Sequence, residues 1–502
     1  MIKKVIGFIV VPLLAVFILL FLPLDAENPK VTYAFCVALL MAAWWITEIV
    51  PLAVTSLLPV ALFPLFGIMD AKSVAATYYN DVIFLFMGGF LVALTMQRWQ
   101  LHRRIALHIL MFTGVGPGKI LMGFMIATAF LSMWISNTAT AMMMLPIAMS
   151  VIQQLEDLSE NKGIGKYSIA ILLGIAYSAS IGGVATLVGT PPNLSFVRIF
   201  HIYFPTGPEI SFASWLMFAL PFSFLFLGIT WLILYFMYRP KEKDWVAIDR
   251  DTFKHQLRDS GKTTYEEKVV FVVFVCLAVL WLFRADLNFG VFKLKGWASL
   301  FPEGKSISDG TVAIFMAIIL FLLPSRNEPG RKLLDWPTAS KMPWHILLLF
   351  GGGFALASGF KDSGLSVWFG EQLKWVAAYH VIIIIFVIAL IMTFLTELTS
   401  NTAATEMVLP ILAGIAISAG IHPLLLMIPA TLSASMAFML PVATPPNAIV
   451  FSTSRISMSQ MARTGLILNL LGAICITLMM YYWGSYVFNI DFSTLPGWVN
   501  VK

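Results

Sequence analysis

From residue 5 to residue 24 the chain carries no charged side chain, and the pattern recurs along its length. Comparable apolar runs cover 31–48, 51–68, 80–98, 209–238, 264–284, 308–324, 345–361 and 463–487. An α-helix of about 20 apolar residues matches the hydrocarbon thickness of a bilayer. In lipid every backbone N–H and C=O must find its partner inside the protein, which a helix provides within one segment. Composition removes the soluble alternative. The chain is 59% hydrophobic and 12% charged, against about 25% charged for a soluble domain, so its polar residues cannot coat a water-facing surface. The expected fold class is an all-α polytopic membrane protein.

Orientation follows from the basic loops. Lys3 and Lys4 place the N-terminus in the cytoplasm, because cytoplasmic loops collect Lys and Arg. The run that follows has no small-residue cleavage site and is long enough to span, so it reads as a retained first helix rather than a signal peptide. The clusters Arg98–Arg104, Arg239-Pro240-Lys241-Glu242-Lys243, Arg326–Lys332 and Arg455–Arg463 then all fall inside, with the C-terminus outside. This count gives about 11 transmembrane helices plus two re-entrant hairpins, at 119–153 and 377–419. Counting each hairpin as a full pair of spans preserves the same charges. A net charge of +6 spread over such loops reports orientation rather than nucleic-acid binding. Arg98-Trp99-Gln100-Leu101-His102-Arg103-Arg104 reads as an interfacial helix. Cys36, Cys276 and Cys475 are far apart in apolar runs and imply neither disulfides nor a thiolate metal site.

The chain repeats itself. Ser136-Asn137-Thr138-Ala139-Thr140-Ala141-Met142-Met143-Met144-Leu145-Pro146 aligns with Ser400-Asn401-Thr402-Ala403-Ala404-Thr405-Glu406-Met407-Val408-Leu409-Pro410, identical at seven of eleven positions. Upstream, Phe86-Met87-Gly88-Gly89-Phe90 matches Phe350-Gly351-Gly352-Gly353-Phe354 at the same offset. Downstream, Ser178-Ala179-Ser180 matches Ser433-Ala434-Ser435, and Thr190-Pro191-Pro192-Asn193 matches Thr444-Pro445-Pro446-Asn447. In the charge-based topology the two halves are inverted. Inverted repeats with broken helices are the architecture of secondary transporters, with the site near the midplane.

The repeated motifs have suitable chemistry. A Ser-Asn-Thr tip ends one helix on unpaired carbonyls and starts the next on unpaired amides. The starting end carries partial positive charge suited to a carboxylate, and the hydroxyl and amide oxygens suit a hard cation. Two consecutive prolines remove backbone donors and break the helix, which should leave carbonyls free around Gly189 and Ala443. No Lys or Arg lies within the motifs, so a dianion there needs co-bound cations. The Gly88-Gly89 and Gly351-Gly352-Gly353 sets read as close helix packing, Trp44 and Trp45 as packing or interface anchors, and His345 as structural. Glu48, Glu397 and Glu406 stand out as candidate functional carboxylates; Glu397 and Glu406 flank the second tip and suit either a cation or proton role or structural hydrogen bonding. No His-Glu-x-x-His and no Gly-x-Ser-x-Gly occurs, so no catalytic residue and no enzyme activity are expected.

On the two Ser-Asn-Thr motifs, the Ser178–Asn193 stretch and Phe438-Met439-Leu440-Pro441-Val442-Ala443-Thr444-Pro445-Pro446-Asn447, the chain resembles the divalent anion/sodium symporter family of sodium-dicarboxylate and citrate carriers, over nearly its whole length. The resemblance implies a homodimer whose scaffold holds an elevator-like transport domain. Scaffold segments would be 1–118 and 261–376, and transport segments 119–260 and 377–502. It implies a first sodium site at Ser132, Ser136, Asn137 and the Gly189 carbonyl. A second would use Thr396, Thr399 through its backbone, Asn401 and the Ala443 carbonyl. The dianion would meet Asn137, Thr138, Asn401 and Thr402, with Thr190, Thr444 and Pro445 nearby. The implied activity is sodium-coupled symport of C4-dicarboxylates (succinate, malate, fumarate); the short cytoplasmic loops and the absence of a transit peptide point to a bacterial inner membrane. A sodium-independent exchanger and a citrate or sulfate carrier are the alternatives on the same scaffold.

Overall fold

The computed structural model describes residues 6–158, 164–240, 251–288, 293–492 and 494–499. Lys3, Lys4 and the stretch from Lys241 to Lys243, which carry part of the orientation argument, lie outside the described residues. The described chain is helical apart from a short antiparallel pairing of Leu287–Asn288 with Lys293–Leu294. Seven of the described helical segments are long and apolar enough to cross a membrane, and further apolar helices are shorter.

The helices that position the site are α1 (Pro29–Thr47), α2 (Asp81–Arg98), α3 (Pro117–Ser132), α4 (Asn137–Leu158), α5 (Ile164–Gly183), α6 (Pro191–Tyr203) and α7 (Phe212–Tyr238). They continue with α8 (Tyr265–Leu282), α9 (Asp309–Leu322), α10 (Trp344–Ser363), α11 (Val381–Thr396), α12 (Asn401–Ala419), α13 (Pro423–Ala434), α14 (Pro445–Phe451) and α15 (Met458–Leu478). Polar caps set many of the starts. Asn80 accepts from the amides of Val82 and Ile83, Ser211 from Ser214, and Thr264 forms a capping box with Glu267.

Alignment of the motifs pairs α2 with α10, α3 with α11, α4 with α12, α5 with α13, α6 with α14 and α7 with α15. The breaks fall where the sequence puts them. Helices α3 and α4 part at 133–136, α11 and α12 at 397–400, and each Pro-Pro opens a new helix after an unwound stretch. The apolar run at 51–68 is divided into Leu52–Thr55 and Leu58–Leu65.

The halves interlock. Helix α2 of the first lies along α9 of the second, and α10 of the second lies on α1 and Leu52–Thr55 of the first. The glycines allow both contacts. A Cβ on Gly88 would lie 2.4 Å from the Ala313 backbone, and one on Gly352 would lie 2.5 Å from Ser56. Helix α5 runs through the middle, buried along nearly its whole length between α3 and α7.

One expectation changes in detail. A helix does follow Arg98, at Leu101–Thr113, but Arg104 does not reach for an interface. It is buried, with its Nε 3.0 Å from Glu267 and its other nitrogens donating to the carbonyls of Ser260 and Gly261. Arg98 likewise turns inward, to Glu328 at 2.7 Å and Asp335 at 2.9 Å. These arginines tie loops together because a guanidinium offers several donors in fixed directions.

Candidate functional site

The two tips are built alike. In the first, the Ser132 hydroxyl donates to Asn137 Oδ1 at 2.6 Å, across five positions. In the second, the Thr396 hydroxyl lies 2.6 Å from Asn401 Oδ1, again across five positions, and 2.7 Å from the Ala434 carbonyl. One hydroxyl proton cannot serve two acceptors at once. Three oxygens therefore converge with too few protons between them, an arrangement that a hard cation satisfies. In the first half the same crowding comes from backbone. A Cβ on Gly189 would lie 2.4 Å from the Gly183 carbonyl and 3.0 Å from that of Ser132, and one on Gly183 would lie 2.5 Å from Asn137 Oδ1. Only glycine fits both places.

The unwound stretches are held by their asparagines. Asn193 Nδ2 donates to the carbonyls of Val184 and Thr186 at 3.2 and 2.7 Å, and Asn447 Nδ2 to those of Ala437 and Leu440 at 3.1 Å each. Both Oδ1 atoms are buried without a partner among the described residues. Each stretch is also tied to its tip, by different means. Thr186 donates to the Met133 carbonyl at 2.5 Å. Glu397 accepts from the consecutive amides of Phe438, Met439 and Leu440 at 2.7, 2.8 and 3.0 Å, and from Asn469 Nδ2 at 2.7 Å. Of the two readings left open for Glu397, the geometry is that of structural hydrogen bonding. Three successive N–H groups turned to one carboxylate form an anion nest.

The tips and the Pro-Pro turns meet on one cavity of about 810 Å³. Of the residues expected to meet the anion, Asn137, Thr138, Thr190, Asn401, Thr402, Thr444 and Pro445 all line it. Of those expected at the cations, Ser136, Asn137, Gly189, Thr399, Asn401 and Ala443 line it, while Ser132 and Thr396 stand behind, fully buried, on the two asparagines. Ser136 caps α4 by accepting from the Ala139 amide at 3.3 Å, whereas Ser400 makes no such side-chain bond. Thr444 accepts from the Asn447 amide at 3.3 Å, and the Thr190 hydroxyl lies 3.4 Å from Ser435. Helices α4 and α12 both begin at this cavity, so two positive helix ends face one space. The lining includes no Lys or Arg.

The opposite wall was not legible as a wall. It comprises Ile46, Glu48 and Leu52 near the end of α1, and His345, Ile346 and Leu349 of α10. His345 thus faces the site instead of serving only the fold. Glu48 closes α1 in a left-handed conformation, φ 50° and ψ 37°. Periodicity could not reveal these residues, since they join the site only by docking of one unit on another.

Broken helices in two related halves, bringing two polar tips to one cavity inside an apolar protein, define a membrane transport protein. The comparisons agree. The sequence matches the family described as sodium:sulfate symporter transmembrane region over residues 3–490. Among curated relatives, the sodium-dependent dicarboxylate transporter SdcS of Staphylococcus saprophyticus is 42% identical over 97% of this chain and 93% of its own length. The protein of that name from Staphylococcus aureus is 44% identical over 97% and 92%. The chain belongs to the sodium:sulfate symporter family. Among solved structures, the YdaH transporter of Alcanivorax borkumensis gives a TM-score of 0.53 at 13% identity, over 83% of this chain and 88% of that one. MtrF of Neisseria gonorrhoeae gives 0.56 at 13%, over 85% and 86%. At that identity the likeness is one of fold.

Proposed function

We infer that this chain is a secondary active transporter, not an enzyme, that carries dicarboxylate dianions together with sodium ions. The observation that carries this reading is the duplicated tip: an asparagine carbonyl clustered with a hydroxyl and backbone oxygens, beside a helix N-terminus, twice on one cavity. Each oxygen cluster is a sodium site in this reading. Each helix end, with Asn137 and Thr138 or Asn401 and Thr402, receives one carboxylate. A dianion without Lys or Arg needs its charge balanced before it leaves water. Bound sodium provides that balance, so ion and substrate are coupled. The relatives named for sodium-dependent dicarboxylate transport support the same conclusion.

The family description names sulfate, and a sulfate carrier is the second reading. Two separate helix ends favour the longer ligand with a charge at each end, such as succinate, malate or fumarate.

The movement in this reading is an elevator. The transport unit, 119–260 and 377–502 with both re-entrant hairpins, slides on a scaffold of 1–118 and 261–376 that also forms the homodimer. About 11 spans leave the N-terminus in the cytoplasm of a bacterial cell and the C-terminus outside. On that orientation the cavity opens to the cytoplasm, beside Glu48 and His345. An asymmetry between equivalent residues supports two states. Trp134 and Val188 of the first half are packed against Gly89, Phe274 and Trp281. Their counterparts Leu398 and Val442 are 70% and 83% exposed at the cavity. An exchange of these environments reverses the side that is open.

The test is radiolabelled succinate uptake into proteoliposomes under an inward sodium gradient or a matched potassium gradient. Concentrative uptake with sodium alone is expected. Uptake driven by internal dicarboxylate, indifferent to sodium, identifies an exchanger, and sulfate displacing succinate identifies a sulfate carrier.

A further inference from the structure

Glu406 lies about one and a half turns beyond the second tip on α12 and is 0% exposed. The Ser195 hydroxyl on α6 donates to its Oε1 at 3.0 Å, while Oε2 has no hydrogen-bond partner among the described residues. Space for the carboxyl comes from α10, where a Cβ on Gly353 would lie 2.1 Å from it. The carboxyl therefore sits in the seam between α12 and α6 of the transport unit and α10 of the scaffold. Tyr78, across the seam, packs on Gly351 of α10, where a Cβ would lie 2.1 Å from its ring, and its hydroxyl donates to the Ser56 carbonyl at 2.5 Å.

Other charged or titratable groups on the packed elements face elsewhere: His345 of α10 lines the cavity, and His201 of α6 and Lys30 of α1 are exposed. On α6, Arg198 turns to Asp81 at 3.9 Å, and on α10 Lys361 donates to the Ile202 carbonyl at 2.5 Å while Asp362 is exposed. On Leu365–Gln372, Glu371 pairs with Lys374 at 3.6 Å, and His422 at the start of α13 packs on Trp498. A carboxylate isolated from water and from cations is strongly disfavoured against its protonated form. A metal ion wants about six oxygens, and among the described residues Ser195 supplies the one hydroxyl bonded to this carboxyl. A proton is the cation this place can hold.

The repeat provides a second, independent observation. Glu406 aligns with Met142, and Met142 is 55% exposed. Exchange of environments between the halves carries Glu406 out of the seam, since a Cβ on Gly89, the counterpart of Gly353, would meet Val188 and Trp281 and not Met142. Resting on the two-state reading above, we propose that Glu406 is a proton-binding site, occupied when the seam closes and vacated when it opens. An O–H bond forms at Oε2 as one O–H bond of a hydronium ion in bulk water breaks, leaving water, and release of the proton reverses the exchange. The proton then acts as a ligand of one state, and acid on the side where the seam opens favours the closed seam described here.

The test is sodium-driven fumarate uptake into proteoliposomes at fixed internal pH, with external pH varied from about 5 to about 8. Fumarate is chosen because its second carboxyl is more acidic than that of succinate, so substrate titration is kept out of most of the window. Wild type should show a titration in rate that Glu406→Gln abolishes while sodium-driven uptake persists. Ser195→Ala, which removes a bond and not the carboxyl, should displace the midpoint by about one pH unit. A wild-type profile in Glu406→Gln overturns the proposal. Should that variant fail to fold, an undisplaced profile in Ser195→Ala overturns it instead. Absence of sodium-driven uptake in the wild type at every pH overturns the transport reading itself, a separable result.

Discussion

At the residue scale, the site asks most of two asparagines. Asn137 and Asn401 each present Oδ1 to a buried hydroxyl at 2.6 Å and stand at a helix start on the cavity. In the proposed mechanism each touches both a sodium ion and the anion. Asn137→Ala and Asn401→Ala should each lower succinate uptake by more than about tenfold, equivalent to about 1.4 kcal/mol or more, while the purified protein keeps its elution profile. Normal uptake by either variant would remove the site assignment. Gly183 offers a sharper probe, since alanine there meets Asn137 Oδ1 at 2.5 Å. Gly183→Ala should weaken sodium activation of uptake, read as a several-fold rise in the half-saturating sodium concentration, with little change in thermal stability. The asparagines were visible in the sequence because they recur in both halves, whereas Gly189 stood out only as the residue before the first Thr-Pro-Pro-Asn and Gly183 not at all. Ser132 and Thr396 were visible only through the family resemblance, because their hydroxyls act from behind the tip.

At the scale of elements, the unwound stretches are structural parts in their own right. Nothing in a Pro-Pro pair says what will hold the broken backbone. In the first half Thr186 and Asn193 do so, and in the second Glu397 and Asn447. A carboxylate receiving three amides and an asparagine is a charge-assisted set, each bond contributing about 1.5–3 kcal/mol. Glu397→Gln keeps the shape but turns donors toward donors. It should lower the melting temperature of the detergent-solubilised protein by several degrees, measured by intrinsic tryptophan fluorescence, and leave the sodium requirement of residual uptake intact. A melting temperature equal to wild type would mean that the carboxylate is not what holds 438–440. Adjacency to the tip had left both a cation role and a structural role open for this residue. Hydrogen-bond geometry decided it, since the amides that satisfy Glu397 lie some forty positions away.

For the whole molecule, the closed and open sides are unequal in a way that the repeat makes interpretable. Val188 is packed and Val442 is 83% exposed, although both precede a Thr-Pro-Pro-Asn by the same interval. In a chain with the exposed native thiol Cys276 replaced by serine, Val442→Cys should react rapidly with a membrane-impermeant maleimide. Val188→Cys should react slowly. Conditions that populate the opposite state should reverse the order, and equal, unchanging rates at both positions would argue against alternation between these two sides.

The sequence by itself determined the solvent, because 59% hydrophobic residues in runs of span length have no aqueous solution. It also determined where helices must break, because proline lacks a donor and Ser-Asn-Thr cannot sit unpaired in lipid. Duplication of those breaks pointed to the site. Only the tertiary structure decided what faces the site across the cavity, which carboxylate is bonded and which is isolated, and which half is closed. Glu48, His345 and Gly353 reach their places through docking of helices far apart in the chain. Exposure differs between equivalent residues because two like halves have been packed into one asymmetric state, and no property of a single repeat records that choice.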